Sequence, residues 1–190
     1  MSKKILVIGG RPIGLKEQNA IKAYKNICRI NLNLKYKDPE SKDIFYVNNH
    51  INARVIKSRI DPKKLKRTIY KSADLNVLIK FYDMLNKKEY SKIIEQYESG
   101  RATKSNSILR DLKCPYKFNK APRCGYQAIL HFLQKGYKVD IMGFSIKDDK
   151  VRTYYHDPDI KVGMGGHDHS NEITILNWLI DNKFIDKVYI

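Results

Sequence analysis

The stretch KILVIGG, Lys4 to Gly10, constrains the fold more than any other part of the chain. Its apolar run, Ile5 to Ile8, cannot alternate between core and water as a half-exposed strand would, so both faces must be covered. The two glycines that follow permit a tight turn. Strands buried on both faces belong to parallel sheets with helices on either side. Further along, EQNAIKAYKN reads as a short helix, ICRINLNL and DIFYVNN as strands, and VDIMGFSI as another. APRCGYQAILHFLQKGYK reads as a helix opening near Arg123 and closing at Gly136, and SNEITILNWLIDN as the last clear helix, capped by Ser170. KVYI closes the chain as an edge strand.

Strands alternating with helices predict an α/β fold: a single domain over residues 1–190, with an open, mostly parallel, Rossmann-like sheet and helices on both faces. Residues 57–120 read as a basic helical insertion. There KSRIDPKKLKRTIYKS is surface, ADLNVLIKFYDMLNKKEYSKIIEQYE is one or two helices, and SGRATKSNS is a loop. In open sheets of this kind ligands sit outside the carboxyl ends of the strands, which directs attention to the residues there.

The turn GGRPIG has Gly9 and Gly14 at the outer positions of a dinucleotide fingerprint. Arg11 occupies the middle position, and Pro12 removes a backbone donor, so an NAD site is disfavoured. Gly9, Gly10 and Arg11 then form either a simple turn or a phosphate cradle of another kind. Asn31 and Asn48 end strands, where an amide side chain can serve ribose or base, or simply make a turn. Arg123, Cys124 and Gly125 open a helix whose dipole favours an anion; a solvated arginine and a packing cysteine are the plain alternatives.

GHDHSNEITILNWL gathers His167, His169, Asp168 and Glu172 at a helix mouth. A metal site, a catalytic base and a helix cap all fit, although no HExxH or paired-cysteine pattern supports a metal. The net charge of +17 attracts anions, either nucleic acid or an acidic membrane surface, or reflects lysine spread over every face. Three widely spaced cysteines suit a reducing compartment, and no apolar run reaches signal-peptide or membrane-span length. The expected location is the cytoplasm, in reach of a membrane surface.

These segments resemble the sialyltransferases, especially the small bacterial family that sialylates lipooligosaccharide, glycosyltransferase family forty-two. His167 and Glu172 match the animal enzymes' very short motif, a His followed five positions later by a Glu. GGRPIGLK is similar to the bacterial Gly-Asn-Gly-Pro-Ser-Leu-Lys turn. RIN places Asn31 on the family's nucleotide-contacting asparagine, and FYVN places Asn48 on its Phe-Tyr-Asn strand end. RCG and GYK resemble its Thr-Ser-Gly helix start and downstream Gly-Tyr-Lys; residues 55–115 stay unmatched.

The resemblance implies a glycosyltransferase A-like variant of the fold and a metal-independent, inverting transfer from CMP-sialic acid or a similar nucleotide sugar. The acceptor would be a hydroxyl on a glycan or another molecule, and no cofactor is required. His167 would be the general base and Glu172 would orient it. Tyr154 or Tyr155 would donate to the departing phosphate. Gly9, Gly10, Arg11, Asn31, Asn48, Arg123, Cys124 and Gly125 would line the nucleotide. A nucleotide binder that has lost transfer, and a basic nucleic-acid-binding protein, are the alternatives.

Overall fold

The structure, a computed structural model, describes residues 3–30, 102–147 and 167–189, together with the backbone of five further strand segments. Seven strands form one parallel sheet: β1 (Lys4–Ile8), β2 (Asn26–Ile30), β3 (Lys42–Val47), β4 (Ile69–Ser72), β5 (Ile94–Tyr97), β6 (Lys138–Met142) and β9 (Ile185–Tyr189). Their order is β5-β4-β3-β2-β1-β6-β9. Two short strands, β7 (Thr153–Tyr154) and β8 (Asp157–Lys161), pair separately as an antiparallel ribbon.

The expected α/β architecture is present. β1 is central, as its apolar run requires. Ile5 and Val7 enter one core, beneath α2 (Ala102–Asp111), α3 (Cys124–Gln134) and α4 (His169–Asp181). Leu6 and Ile8 enter a second, smaller core on the opposite face, with Ile21 of α1 (Leu15–Ile21). Burying an aliphatic side chain contributes roughly 1.5–3 kcal/mol, so four such residues in a row fix the strand in depth. β9 is the sheet edge expected from KVYI, and it begins earlier, at Ile185.

Between residues 57 and 120 the helices expected from ADLNVLIKFYDMLNKKEYSKIIEQYE lie largely outside the described residues, and the described ones add two strands and a helix. β4 and β5 are strands of the main sheet, and the SGRATKSNS segment, expected to be a loop, supplies most of α2. Parallel pairing of β3, β4 and β5 overrides the weak local preferences of these lysine-rich stretches.

The chain steps outward from β1 to β5, then returns to the other side of β1 with β6. That reversal makes a topological switch point at the carboxyl ends of β1 and β6. The two backbones meet closely there. The amide of Gly9 donates to the carbonyl of Met142 (2.8 Å), and that of Arg11 to Gly143 (3.1 Å). Gly143 sits at φ +68°, and a Cβ on Gly9 would lie 2.4 Å from its carbonyl oxygen.

On the α1 face Asp140 of β6 is fully buried. Its carboxylate accepts from the Tyr24 hydroxyl, from the amide of Lys187 (3.1 Å) and from the Lys4 ammonium (3.0 Å). Tyr24 also shares a hydrogen bond with Tyr189 (2.8 Å), so this one carboxylate ties β1, β6, β9 and the end of α1 together.

Two predictions follow from these contacts. Replacing Gly9 by Ala forces backbone apart at the switch point and destabilises the protein by about 1–3 kcal/mol in urea titrations; an unchanged midpoint contradicts the close approach. The second concerns alkali. Desolvation first, then the Asp140 hydrogen bond, raises the Tyr24 pKa above its ordinary 10.0. The Asp140 hydrogen bond raises Lys4 above 10.5. Both groups favour the folded state while protonated. Their contribution is present below about pH 10 and is lost as pH rises further. Stability measured from pH 9 to 12 falls in the native protein and falls less in Asp140→Asn; parallel curves contradict the network.

Candidate functional site

The carboxyl edge of the sheet at the switch point is lined by the β1 turn, the loop after β6 and the N-terminus of α3. These three elements meet on Phe144. Its ring lies where a Cβ on Gly9 or on Gly125 would sit, at 3.1 and 2.7 Å. Tyr126, in the first turn of α3, stands edge-on to Phe144 on one side and to Phe118 on the other. Gly125 is therefore a packing glycine that lets the helix start press onto the strand ends.

The residues just before α3 carry the geometry that matters. His167 precedes α4, and its Nδ1 lies 2.8 Å from the carbonyl oxygen of Ala121. Asp168 is the N-cap of α4, accepting from the Asn171 amide at 3.3 Å and from the Asn119 side chain at 3.4 Å. The expectation of Ser170 as cap is thus corrected: the helix starts at His169 and Ser170 is exposed on its first turn.

Glu172 does not meet His167 among the interactions of the described residues. It is buried, and its carboxylate reaches across to α3. One oxygen accepts from the Arg123 amide (2.6 Å) and the other from Arg123 Nε (2.5 Å). Arg123 Nη2 lies 2.7 Å from Nδ1 of the buried His169, and its guanidinium stacks 5.5 Å from the Tyr126 ring centre. Gln127 secures the same stretch, donating to the Pro122 carbonyl at 2.6 Å. Four residues of α4 and its entry therefore grip residues 119–123, and Asn177 adds a bond to the Ile146 carbonyl beyond β6 (3.2 Å).

Gly9 and Arg11 lie in the switch-point turn with Gly10 between them, but their amides are bonded to the carbonyls of Met142 and Gly143. Neither can cradle a phosphate without breaking that bond. Arg123 does open α3, yet the anion at that helix start is the protein's own Glu172. Cys124 is buried in the main core, which makes it a packing residue rather than an exposed thiol. Asn31, Asn48 and Tyr155 lie outside the described residues. Tyr154 lies in β7, described by its backbone alone.

Three features of the site are not evident in the sequence. Arg29 is wholly buried near the carboxyl end of β2, beside Ile8 and Phe45 in register. Asn106 bonds both the amide and carbonyl of Phe118, which shapes the loop leading to Ala121. The Arg123–Glu172 pair spans 49 residues of sequence. An arginine before a helix and an acid in a helix's first turn were the signals, but each has a sufficient local explanation. Among the described residues no group of three or more His, Cys, Asp or Glu side chains could hold a metal ion, and no helix is long and apolar enough to cross a membrane.

No protein-family model and no curated protein matches the sequence. Solved structures do match in fold. One is a mammalian sialyltransferase, with a TM-score of 0.56 and 14% identity over 99% of this chain and 69% of that one. Another is a mammalian sialyltransferase in complex with Gal-beta-1-3GalNAc-ortho-nitrophenol, with a TM-score of 0.55 and 13% identity over 99% of this chain and 70% of that one. The chain therefore has a sialyltransferase-like fold, reached with almost no shared sequence.

The buried pair makes a quantitative prediction. Glu172→Ala strands the Arg123 guanidinium and costs about 3 kcal/mol, the low end for a broken buried ion pair because Arg123 keeps 30% of its side chain in water. A loss below about 1 kcal/mol in chemical denaturation contradicts the structural weight given to the pair.

Proposed function

We propose that the chain is a glycosyltransferase of sialyltransferase type, kin to the bacterial lipooligosaccharide enzymes. It moves sialic acid or a related sugar from a CMP donor to an acceptor hydroxyl, with inversion and without a metal. The observation that carries this reading is the placement of His167. It stands at the carboxyl edge of a sialyltransferase-like sheet, with one ring nitrogen against the Ala121 carbonyl. A carbonyl oxygen only accepts, so in the neutral ring Nδ1 bears the proton and Nε2 keeps its lone pair. That is the form a general base requires.

In this reading the donor lies outside the carboxyl ends of β1 and β6. Asn31 and Asn48, which follow β2 and β3, contact ribose or base. Gly10, between the two bonded amides of its turn, borders the phosphate. His167 Nε2 takes the proton of the acceptor hydroxyl as that oxygen attacks the sugar's anomeric carbon from the face opposite the phosphate. The bond to CMP breaks as the new one forms, and Tyr154 or Tyr155 donates to the departing phosphate. The acceptor is a glycan or another hydroxyl-bearing molecule; the disaccharide complexed by one structural neighbour supports the glycan class. The surplus of +17 suits a phosphorylated donor and an acidic membrane surface nearby, in the cytoplasm.

CMP is expected to raise the melting temperature, by about 2–4 °C for each kcal/mol of binding it contributes. His167→Ala keeps that shift while transfer falls on the order of 100- to 10,000-fold, the usual worth of a general base. A melting curve indifferent to CMP, or a variant that transfers at the native rate, contradicts the assignment.

A further inference from the structure

We infer that the Arg123–Glu172 clamp holds His167 and His169 in opposite tautomers, with Glu172 and Arg123 as positioning residues for the His167 ring. The inference rests on the proposed role of His167 as base and deepens it. The logic is one of donors and acceptors. A guanidinium has only N–H donors, so Nδ1 of His169, 2.7 Å from Arg123 Nη2, must accept. His169 is then neutral and carries its proton on Nε2. A backbone carbonyl has only lone pairs, so Nδ1 of His167 must donate. His167 therefore carries its proton on Nδ1, and Nε2 is bare. Two residues apart, the rings are mirror cases.

The same bonds form a closed loop. From His167 the chain enters α4 and reaches Glu172. The Glu172 carboxylate grips the amide and Nε of Arg123. Two residues back along the chain stands Ala121, whose carbonyl returns to His167. Opening the loop at the carboxylate lets residues 121–123 drift from α4, because it removes the two bonds of the Glu172 carboxylate and leaves ties such as Asn119 to Asp168, at 3.4 Å, and Arg123 to His169. Glu172 thus acts on the imidazole without touching it. This differs from an acid paired directly with its histidine, where the carboxylate itself would accept the hydrogen bond from Nδ1–H.

The test is nitrogen-15 NMR of the histidine rings at about pH 8.5, above the ordinary histidine range. His167→Gln and His169→Gln assign the signals among the chain's 5 histidines. The expected native pattern is His167 protonated at Nδ1 and bare at Nε2, with His169 the reverse. In Glu172→Gln, which keeps one acceptor but loses the two-oxygen bite, His167 loses its single-tautomer pattern and shows both forms. In Arg123→Gln, whose amide can donate or accept, His169 does so. A native His167 protonated at Nε2 overturns the inference, as does a Glu172→Gln protein, folded by circular dichroism, whose His167 pattern is unchanged. Should that variant not fold, the native pattern and Arg123→Gln decide.

The proposed transfer reaction fails by a different sign. Tautomers as described, in a protein whose melting ignores CMP, uphold the positioning and reject the reaction. Transfer lost in a folded Glu172→Gln that retains the native tautomer rejects the positioning and leaves the reaction standing.

Discussion

A carboxylate buried between two helices organises this end of the molecule. Glu172 belongs to α4, but its oxygens are bonded to the backbone and side chain of Arg123, at the threshold of α3. A charge so deeply buried is tolerable only because it is paired and fully hydrogen-bonded. The pairing fixes how α4 enters, where residues 121–123 lie and what His167 can touch. The anion-binding potential of the α3 start is met internally, by the Glu172 carboxylate.

A second constraint lies beneath it. The close approach of Gly9 to Gly143, with Phe144 wedged against Gly9 and Gly125, makes the switch point a packed floor. Side chains there have been traded for backbone contact and one aromatic ring. The helices above are set by that floor, while on the far face Asp140 locks edge strand β9 to the centre through Tyr24, Tyr189 and Lys4. The sheet is thus fastened on both faces before any functional group is placed.

Much of this architecture is legible in the residues. Ile5 to Ile8 announce a doubly buried strand, and α3 and α4 carry apolar stripes with recognisable ends, including Gly136 at φ +74°. The helix α2 is not legible. ATKSNSILRD is rich in Ser, Thr and Asn, and its buried side chains are Ser105, Ile108 and Leu109. Such a helix is held by tertiary packing rather than propensity. β4 and β5, four residues each, are short strands among lysines, specified by pairing partners far away in sequence. At the site, the histidine cluster is visible from its composition, but the cap falls on Asp168 rather than on the expected Ser170. The acid that matters is harder to see, because its partner is 49 residues away and the local helix dipole already accounts for it.

The sialyltransferase-like fold at 14% identity shows how little sequence that scaffold demands. The proposed transfer requires an imidazole with a bare nitrogen facing a donor at the strand ends. The most direct measurement is backbone amide NMR of the protein titrated with CMP. The account predicts saturable shifts at Gly10, at residues 119–123 and at His167, with Lys135 and Lys138 at the opposite edge of the sheet unmoved. Shifts centred on that opposite edge, or none at all, contradict it.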